Sequence, residues 1–248
     1  MRRYYSLFLF FVIIFLSLSA DAGRTRRAFK NKNQTPKKIV QQGSMALPAG
    51  VYEGYDTCRI YKEPIDVELL IDLGKPKYIN SLSGTEFPAK PYSTTMGLTT
   101  AYLKTEMNAT NFVQEINHQT VCLGLKKLIV KISYPDIKVF IDKKYRPGSC
   151  PYKVIREHEN YHVRVHQEGL NFFSKKIKEA LVIAANKIVP IQISDVREGE
   201  KAFEGMIQAI QKDIAPLLSY VEYRIKEQNM VIDTKSSYKK DAEKCPHW

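Results

Sequence analysis

Three of the chain's five histidines stand in the stretch REHENYHVRVHQEG, residues 156–169. His158 and His162 are four positions apart, so on a helix they lie on one face and can turn imidazole nitrogens towards one metal ion. Glu159 lies at the flank of that pair, where its carboxylate can accept a proton from water on the ion without displacing it. The spacing therefore predicts a Zn²⁺ site with its own general base, which is what hydrolysis of an amide requires near neutral pH.

A catalytic zinc ion needs a third protein ligand in addition to two histidines. His166 continues the spacing, but a rise of 1.5 Å per residue places it about 12 Å from His158 along the helix axis, too far for one ion. If two long helices fold back on each other near residue 190, position 160 lies opposite position 221, so Glu222 is the expected third ligand. The alternatives that remain are Asp233, Glu204 and His166.

The histidines belong to the first of two segments with helical periodicity. Ser149 or Cys150 is expected to cap the first helix with Pro151 in its first turn, and apolar residues then recur at helical spacing as far as Ala184. After a break at residues 189–193, Asp195 and Glu198 resemble a capping box that begins a second helix. This helix is expected to run through Ile225 and to kink at Pro216.

The residues before the helices are rich in strand formers. Residues 66–73 predict one strand, and residues 127–132 and 137–142 predict an antiparallel hairpin, whereas a short helix is expected around residues 107–119. The predicted fold class is α+β, with an N-terminal antiparallel β-rich part followed by two long antiparallel helices. The β-rich lobe is placed at residues 51–149 and the helical lobe at residues 150–248.

The first 50 residues predict export. Arg2 and Arg3 precede an apolar run at residues 7–16 and a small-residue cleavage site ending at Ala22, so residues 1–22 are expected to be a signal peptide whose removal leaves no transmembrane segment. Residues 23–50 carry seven basic residues and no acid, and are expected to be a disordered leader that contacts anionic surfaces. Since much of the net charge of +12 lies there, no nucleic-acid partner is expected. The predicted location is periplasmic or secreted.

Export allows the four cysteines to form disulfides. Cys58, Cys122, Cys150 and Cys245 permit three pairings, and none of them shows the C-x-x-C spacing typical of zinc sites. A helical hairpin would bring the end of the chain towards Cys150. This favours a Cys150 to Cys245 bridge, which leaves Cys58 to pair with Cys122.

The sequence from His158 to His162 resembles the HExxH signature of the zincin metallopeptidases. Residues 147–152 and 229–234 are similar to a little-characterised group of exported bacterial proteins regarded as zinc peptidases, and the likeness covers roughly residues 120–248. The resemblance implies two histidine ligands to zinc and Glu159 as general base. With a glutamate as third ligand the site would be gluzincin-like. Arg156 and Arg164 depart from the zincin pattern, which prefers uncharged residues at those positions.

These observations predict an exported zinc-dependent hydrolase, and specifically a metallopeptidase that acts on a peptide or protein substrate. The substrate chain is expected to add along residues 137–142, and Tyr223 or Tyr238 to donate to the oxyanion that develops. One alternative is a non-catalytic envelope or secreted binding protein with a structural metal or none, which binds its partner through Arg156, Asn160 and Arg164. Another is a metal-dependent amidase of cell-wall peptide.

Overall fold

The computed structural model describes residues 58–87 and 95–248, and strands precede two long helices in it. The strands are β1 (Asp66–Asp72), β2 (Pro76–Ile79), β3 (Gly97–Thr100), β4 (Lys104–Asn117), β5 (Thr120–Ser133), β6 (Ile137–Ile141) and β7 (Ile191–Ile193). The helices are α1 (Cys150–Lys187), α2 (Val196–Ile232) and α3 (Lys235–Ala242). The predicted α+β class is confirmed, whereas the predicted signal peptide and basic leader lie outside the described residues.

The strands form two sheets with mixed pairing. The larger sheet has the order β1-β5-β4, with β7 also paired to β5, and the smaller sheet has the order β2-β6-β3. Within them β1 is parallel to β5 and β2 is parallel to β6. The predicted hairpin of β5 with β6 is wrong, because these consecutive strands belong to different sheets. Apolar runs show that both strands are buried but do not specify their neighbours.

The short helix expected around residues 107–119 is also wrong, because this segment is most of the first strand of a long hairpin and its turn. β4 pairs antiparallel with β5 along its length, with register shifts after Thr110 and Glu115. The hairpin turns at Asn117, whose side-chain oxygen accepts from the backbone N–H groups of Gln119 and Thr120 at 3.0 Å each. The register shifts interrupt the alternation of apolar and polar residues by which a strand is recognised.

Both helix starts are confirmed. The Ser149 hydroxyl caps α1 by accepting from the N–H of Tyr152 at 3.3 Å, and Pro151 lies in the first turn, where its missing N–H costs no hydrogen bond. Asp195 caps α2 by accepting from the N–H of Arg197 at 2.7 Å. Pro216 lies inside α2, as expected. No helix in the described part of the chain combines the length and the apolar content that crossing a bilayer requires.

The two long helices pack antiparallel with a register that decides which residues meet. Gly169 faces Ile225 so closely that a β-carbon at Gly169 would lie 2.7 Å from the Ile225 side chain. Phe173 packs against Tyr220 with 6.0 Å between ring centroids, which fixes the same register one turn further on. Residues near 160 therefore lie opposite the end of α2, near residue 232, and not opposite position 221.

The connection between the helices explains this offset. Instead of a tight turn at residue 190, the chain forms β7, which pairs with residues 121–123 of β5. The first turns of α2 then pack on β7, where Gly199 lies against Ile193, before the helix reaches α1. The offset places the C-terminal end of α2 beside the first turns of α1, where both histidines lie.

Both predicted disulfides are present, Cys58 to Cys122 and Cys150 to Cys245. The first joins the segment before β1 to β5, and the second joins the start of α1 to the residues after α3. Two disulfides are compatible with an exported protein.

Candidate metal centre

Three side chains from two helices converge at one point. His158 and His162 are buried on α1, each with 8% of its surface exposed, and Asp233 is the residue that ends α2. The Nε2 atoms of both histidines lie 3.2 Å from the same atom, Oδ1 of Asp233. Their potential ligand atoms all lie within 4.8 Å of one another, and they form a group able to hold a metal ion.

The separations fit a zinc-sized ion. Bonds of about 2.0 to 2.1 Å at tetrahedral angles place neighbouring ligand atoms about 3.3 Å apart. Each histidine nitrogen is 3.2 Å from Oδ1 of Asp233. These three protein ligands would leave one tetrahedral position for water or substrate, which is the arrangement of catalytic zinc sites.

The outer nitrogens of both rings are held by acceptors. Nδ1 of His158 lies 2.9 Å from Oδ2 of Asp241, and Nδ1 of His162 lies 2.9 Å from Oδ1 of Asn229. The orientation of the Asn229 amide is fixed because its nitrogen donates to the Ile225 carbonyl at 3.1 Å. Metal-binding histidines usually donate their second N–H to such groups, which turns the other nitrogen's lone pair towards the ion.

Electrostatics favours a cation between the rings and Asp233. Hydrogen bonds with His158 and His162 hold the pKa of Asp233 far below its ordinary value. Burial alone would lower the pKa of each imidazole. The hydrogen bonds outweigh burial and raise both pKa values above 6.5. His158 bonds to Asp233 and Asp241, and His162 bonds to Asp233 and Asn229. Without a metal ion the same contacts therefore favour protonation of both rings.

Competition with protons predicts the pH dependence of metal binding. The raised imidazole pKa values mean that protons compete with the ion from a higher pH than they would at a free histidine. Affinity should therefore be full above those pKa values and fall as the pH drops through them, with up to about two protons displaced per ion. Zinc titrations in buffers of different ionisation enthalpy measure this proton release. Affinity that is constant from neutral pH to pH 5 would contradict it.

Glu159 lies beside the ligands with its carboxylate in a dry environment. Its side chain is 5% exposed, and Oε2 accepts from the Thr99 hydroxyl at 2.8 Å. Burial raises its pKa, although the Thr99 hydrogen bond opposes the shift. Gly97 allows this position, because a β-carbon there would lie 2.6 Å from Oε1 of Glu159. Strand β3 therefore holds the predicted base in place.

The centre opens into a cleft of about 830 Å³. Glu159, His162 and Asp233 line it between strand β3 and the second half of α2. Tyr238 also lines it, stacks on His158 with 5.0 Å between centroids, and donates to Oδ1 of Asp233 at 2.6 Å. Of the two tyrosines considered as oxyanion donors, Tyr238 is thus at the centre.

The other tyrosine and the expected third ligand lie elsewhere. The Tyr223 hydroxyl donates to Glu227 at 2.6 Å on an exposed face of α2, so it is not at the centre. Glu222 lines the cleft but is not in the ligand group, whose third member is Asp233. The prediction of Glu222 is corrected because the register of α2 against α1 places the helix end, not position 222, beside the histidines.

The remaining alternatives for a third ligand are also not members of the group. Glu204 is exposed near the start of α2. His166 packs edge-on against Tyr134, with 5.3 Å between centroids, and its Nε2 lies 3.3 Å from the Asn229 side-chain nitrogen. Burial lowers its pKa to about 4. His166 therefore contacts Asn229, which in turn holds His162, and is not itself a member of the ligand group.

Helix α3 and its disulfide hold the outer groups in place. Tyr238 and Asp241 both lie on this short helix, and the bridge from Cys150 to Cys245 fastens its end to the start of α1. Lys244 strengthens the attachment by pairing with Oδ1 of Asp241 at 2.9 Å. The Cys150 to Cys245 bridge therefore stabilises the candidate metal centre as well as the fold.

If this group binds a metal ion, we expect replacement of Cys150 and Cys245 by serine to weaken the binding of zinc, used as the probe, about tenfold to a hundredfold, because Asp241 would no longer be held against its histidine. The free energy of unfolding should also fall by about 3 to 5 kcal/mol. Zinc titration and denaturant unfolding measure the two effects. The matched control replaces Cys58 and Cys122, which should lower stability but leave zinc affinity unchanged. Equal losses of affinity in both double variants would contradict this role.

The sequence did not predict the outer groups Asn229, Asp241 and Thr99. A sequence pattern could have identified Asn229, because Asn229 and Asp233 at the end of α2 repeat the four-residue spacing of the histidines on α1. Asp241 and Thr99 are 83 and 60 positions from the residues they contact, and no local spacing identifies them.

Comparison of the chain with protein-family models, with curated proteins and with solved structures finds no match.

Proposed function

We propose that this protein is an exported zinc-dependent hydrolase, and specifically a metallopeptidase in which Glu159 is the general base. The observation that carries the proposal is the position of the Glu159 carboxylate, buried beside three convergent ligand atoms and lining the same cleft. A site that only binds a structural metal has no need of an additional buried carboxylate, since burying one costs free energy. The two disulfides support export.

The donor set favours zinc among the common metal ions. Two imidazole nitrogens and one carboxylate oxygen suit zinc and similar transition metals, whereas magnesium and calcium prefer oxygen ligands throughout. The gluzincin-like expectation is revised in the proposal, because the carboxylate ligand is the aspartate Asp233.

Each residue of the centre has a distinct role in the proposed reaction. When bound, zinc supplies a Lewis acid and lowers the pKa of coordinated water to about 7. Glu159 takes the proton of the attacking water and passes it to the leaving amine, and its raised pKa brings it closer to the pKa of its proton donor. The Tyr238 hydroxyl, which donates to Asp233, can turn to the oxygen of the substrate as negative charge develops.

The substrate main chain adds alongside β3 in this proposal. β6 does not suit the role foreseen for residues 137–142, because it is the central strand of its sheet, between β2 and β3. β3 pairs with β6 on one side and has no second partner among the described strands. Gly97 and Thr99 of β3 line the cleft beside Glu159, so a peptide paired with this strand would lie across the centre.

The close approach of β3 to Glu159 predicts what a methyl group added at Gly97 would do. In Gly97→Ala the new β-carbon would displace the Glu159 carboxylate and the side chain of Ile155, both of which lie within 3 Å of it. We expect kcat/KM to fall about tenfold to a hundredfold while zinc affinity stays unchanged. Gly205→Ala is the matched control, because nothing lies within 4 Å of a β-carbon at Gly205. Unchanged kinetics in Gly97→Ala would count against this placement of the base.

The proposed activity is tested by digestion of a broad peptide library with the purified zinc-loaded protein, followed by mass spectrometry. We expect cleavage that disappears when a chelator strips the metal and returns when zinc is restored. A protein that holds one equivalent of zinc and cleaves no member of the library would instead be a binding protein with a structural metal.

A further inference from the structure

A second carboxylate in the cleft has no part in the metal centre. Glu222 lines the cleft on α2 and is exposed within it. It is eleven positions from Asp233, so it lies about 16 Å from that residue along the helix axis. An extended peptide covers this distance in about five residues. Fewer residues are needed if a long side chain of the peptide points along the cleft towards Glu222.

Among the described residues no ion pair joins the Glu222 carboxylate to a lysine or arginine, although Lys226, four positions on, lines the same cleft. Burial against neighbouring residues raises its pKa, and no described lysine or arginine opposes that shift. Lys104, which also lines the cleft, pairs with Glu106 at 2.7 Å. A partly desolvated carboxylate without a cation is unfavourable until a ligand supplies one.

Two neighbours make this end of the cleft suitable for an ammonium or guanidinium group. Tyr134 lines the same cleft with 2% of its surface exposed, and the Glu222 carboxylate adds to the rise that burial causes in the pKa of its hydroxyl. That hydroxyl is a second acceptor for a group with several N–H donors. His166 packs on Tyr134 and does not repel a cation, because its pKa of about 4 keeps it neutral at neutral pH.

We propose that Glu222 and Tyr134 form a subsite that selects substrates with a basic side chain, lysine or arginine, three to five residues from the scissile bond. The inference rests on the proposed function, since it assigns a substrate class to the same cleft. Gly97 of β3 and Lys104 at the start of β4 also line the cleft, and Lys104 pairs with Ser133, the residue before Tyr134. A peptide that follows β3 and the start of β4 passes the metal centre and reaches Glu222.

The test measures binding without turnover. Zinc-loaded full-length protein carrying Glu159→Gln is titrated with twelve-residue peptides of neutral sequence, in which one lysine is moved through the positions and compared with norleucine. We expect one or two neighbouring positions at which lysine binds about tenfold tighter than norleucine. Adding Glu222→Gln should abolish this preference, and Glu222→Lys should reverse it in favour of norleucine.

Glu204→Gln is the matched control, because it removes the same charge from an exposed position of the same helix outside the cleft. The lysine preference should persist in this control. Equal binding of lysine and norleucine at every position, or a preference that survives Glu222→Gln, would overturn the proposal. Failure of the proposed hydrolase activity is recognised separately, because wild-type protein would then cleave none of the peptides, whatever their affinities.

Discussion

Replacement of Asp233 by alanine is expected to weaken zinc binding about a thousandfold, because it removes one of the three ligands that we propose for the ion. The two histidines would remain in place on α1, where Asp241 and Asn229 hold their outer nitrogens. The two histidine nitrogens alone would bind zinc about as weakly as a pair of histidines on a protein surface. Competition titration with a chromophoric chelator measures the change, and the stabilisation of the fold by added zinc should shrink in parallel.

The matched control is Glu222→Ala, which removes the carboxylate that the sequence indicated as third ligand. It should leave zinc affinity unchanged, because Glu222 is not in the ligand group. A large loss of affinity in Glu222→Ala, with little change in Asp233→Ala, would show that α2 packs on α1 in the register first expected from the sequence.

Glu159→Gln is expected to lower kcat by at least about a hundredfold with full retention of zinc. Glutamine preserves the size of the side chain and can still accept from the Thr99 hydroxyl, but it does not accept a proton from water at neutral pH. Because burial of the charged carboxylate is unfavourable, the variant should be as stable as the wild type or more stable.

The control for this variant is Glu168→Gln, at an exposed position of the same helix outside the cleft, which should leave kcat unchanged. Zinc content and kcat are measured on the same preparations, so that loss of metal and loss of the base are distinguished. Cleavage at wild-type rate by Glu159→Gln would contradict the assignment of the general base.

Local spacing was sufficient for the parts of the centre that lie within one helical turn. His158, Glu159 and His162 follow from the repeat of 3.6 residues per turn, and the start of α1 follows from Ser149 and Pro151, because these signals depend only on neighbouring residues. The α+β class follows in the same way from the periodicity of each segment. No knowledge of how the segments pack is needed.

The third residue of the group could not be identified from local spacing, because its position depends on how two helices pack. The sequence identified a break near residue 190 but not that β7 forms there and pairs with β5, and this strand shifts the register by about three turns. Asp233, and not the expected Glu222, therefore lies opposite the histidines. The pairing of β5 and β6 was missed for a related reason, since strand partners depend on contacts between distant segments.

Anomalous X-ray diffraction at the zinc absorption edge tests the claim that His158, His162 and Asp233 hold one zinc ion. Crystals of zinc-loaded protein should show one strong peak about 2.0 to 2.1 Å from both Nε2 atoms and from a carboxylate oxygen of Asp233. Zinc at another place, with both histidines still hydrogen-bonded directly to Asp233, would contradict the claim.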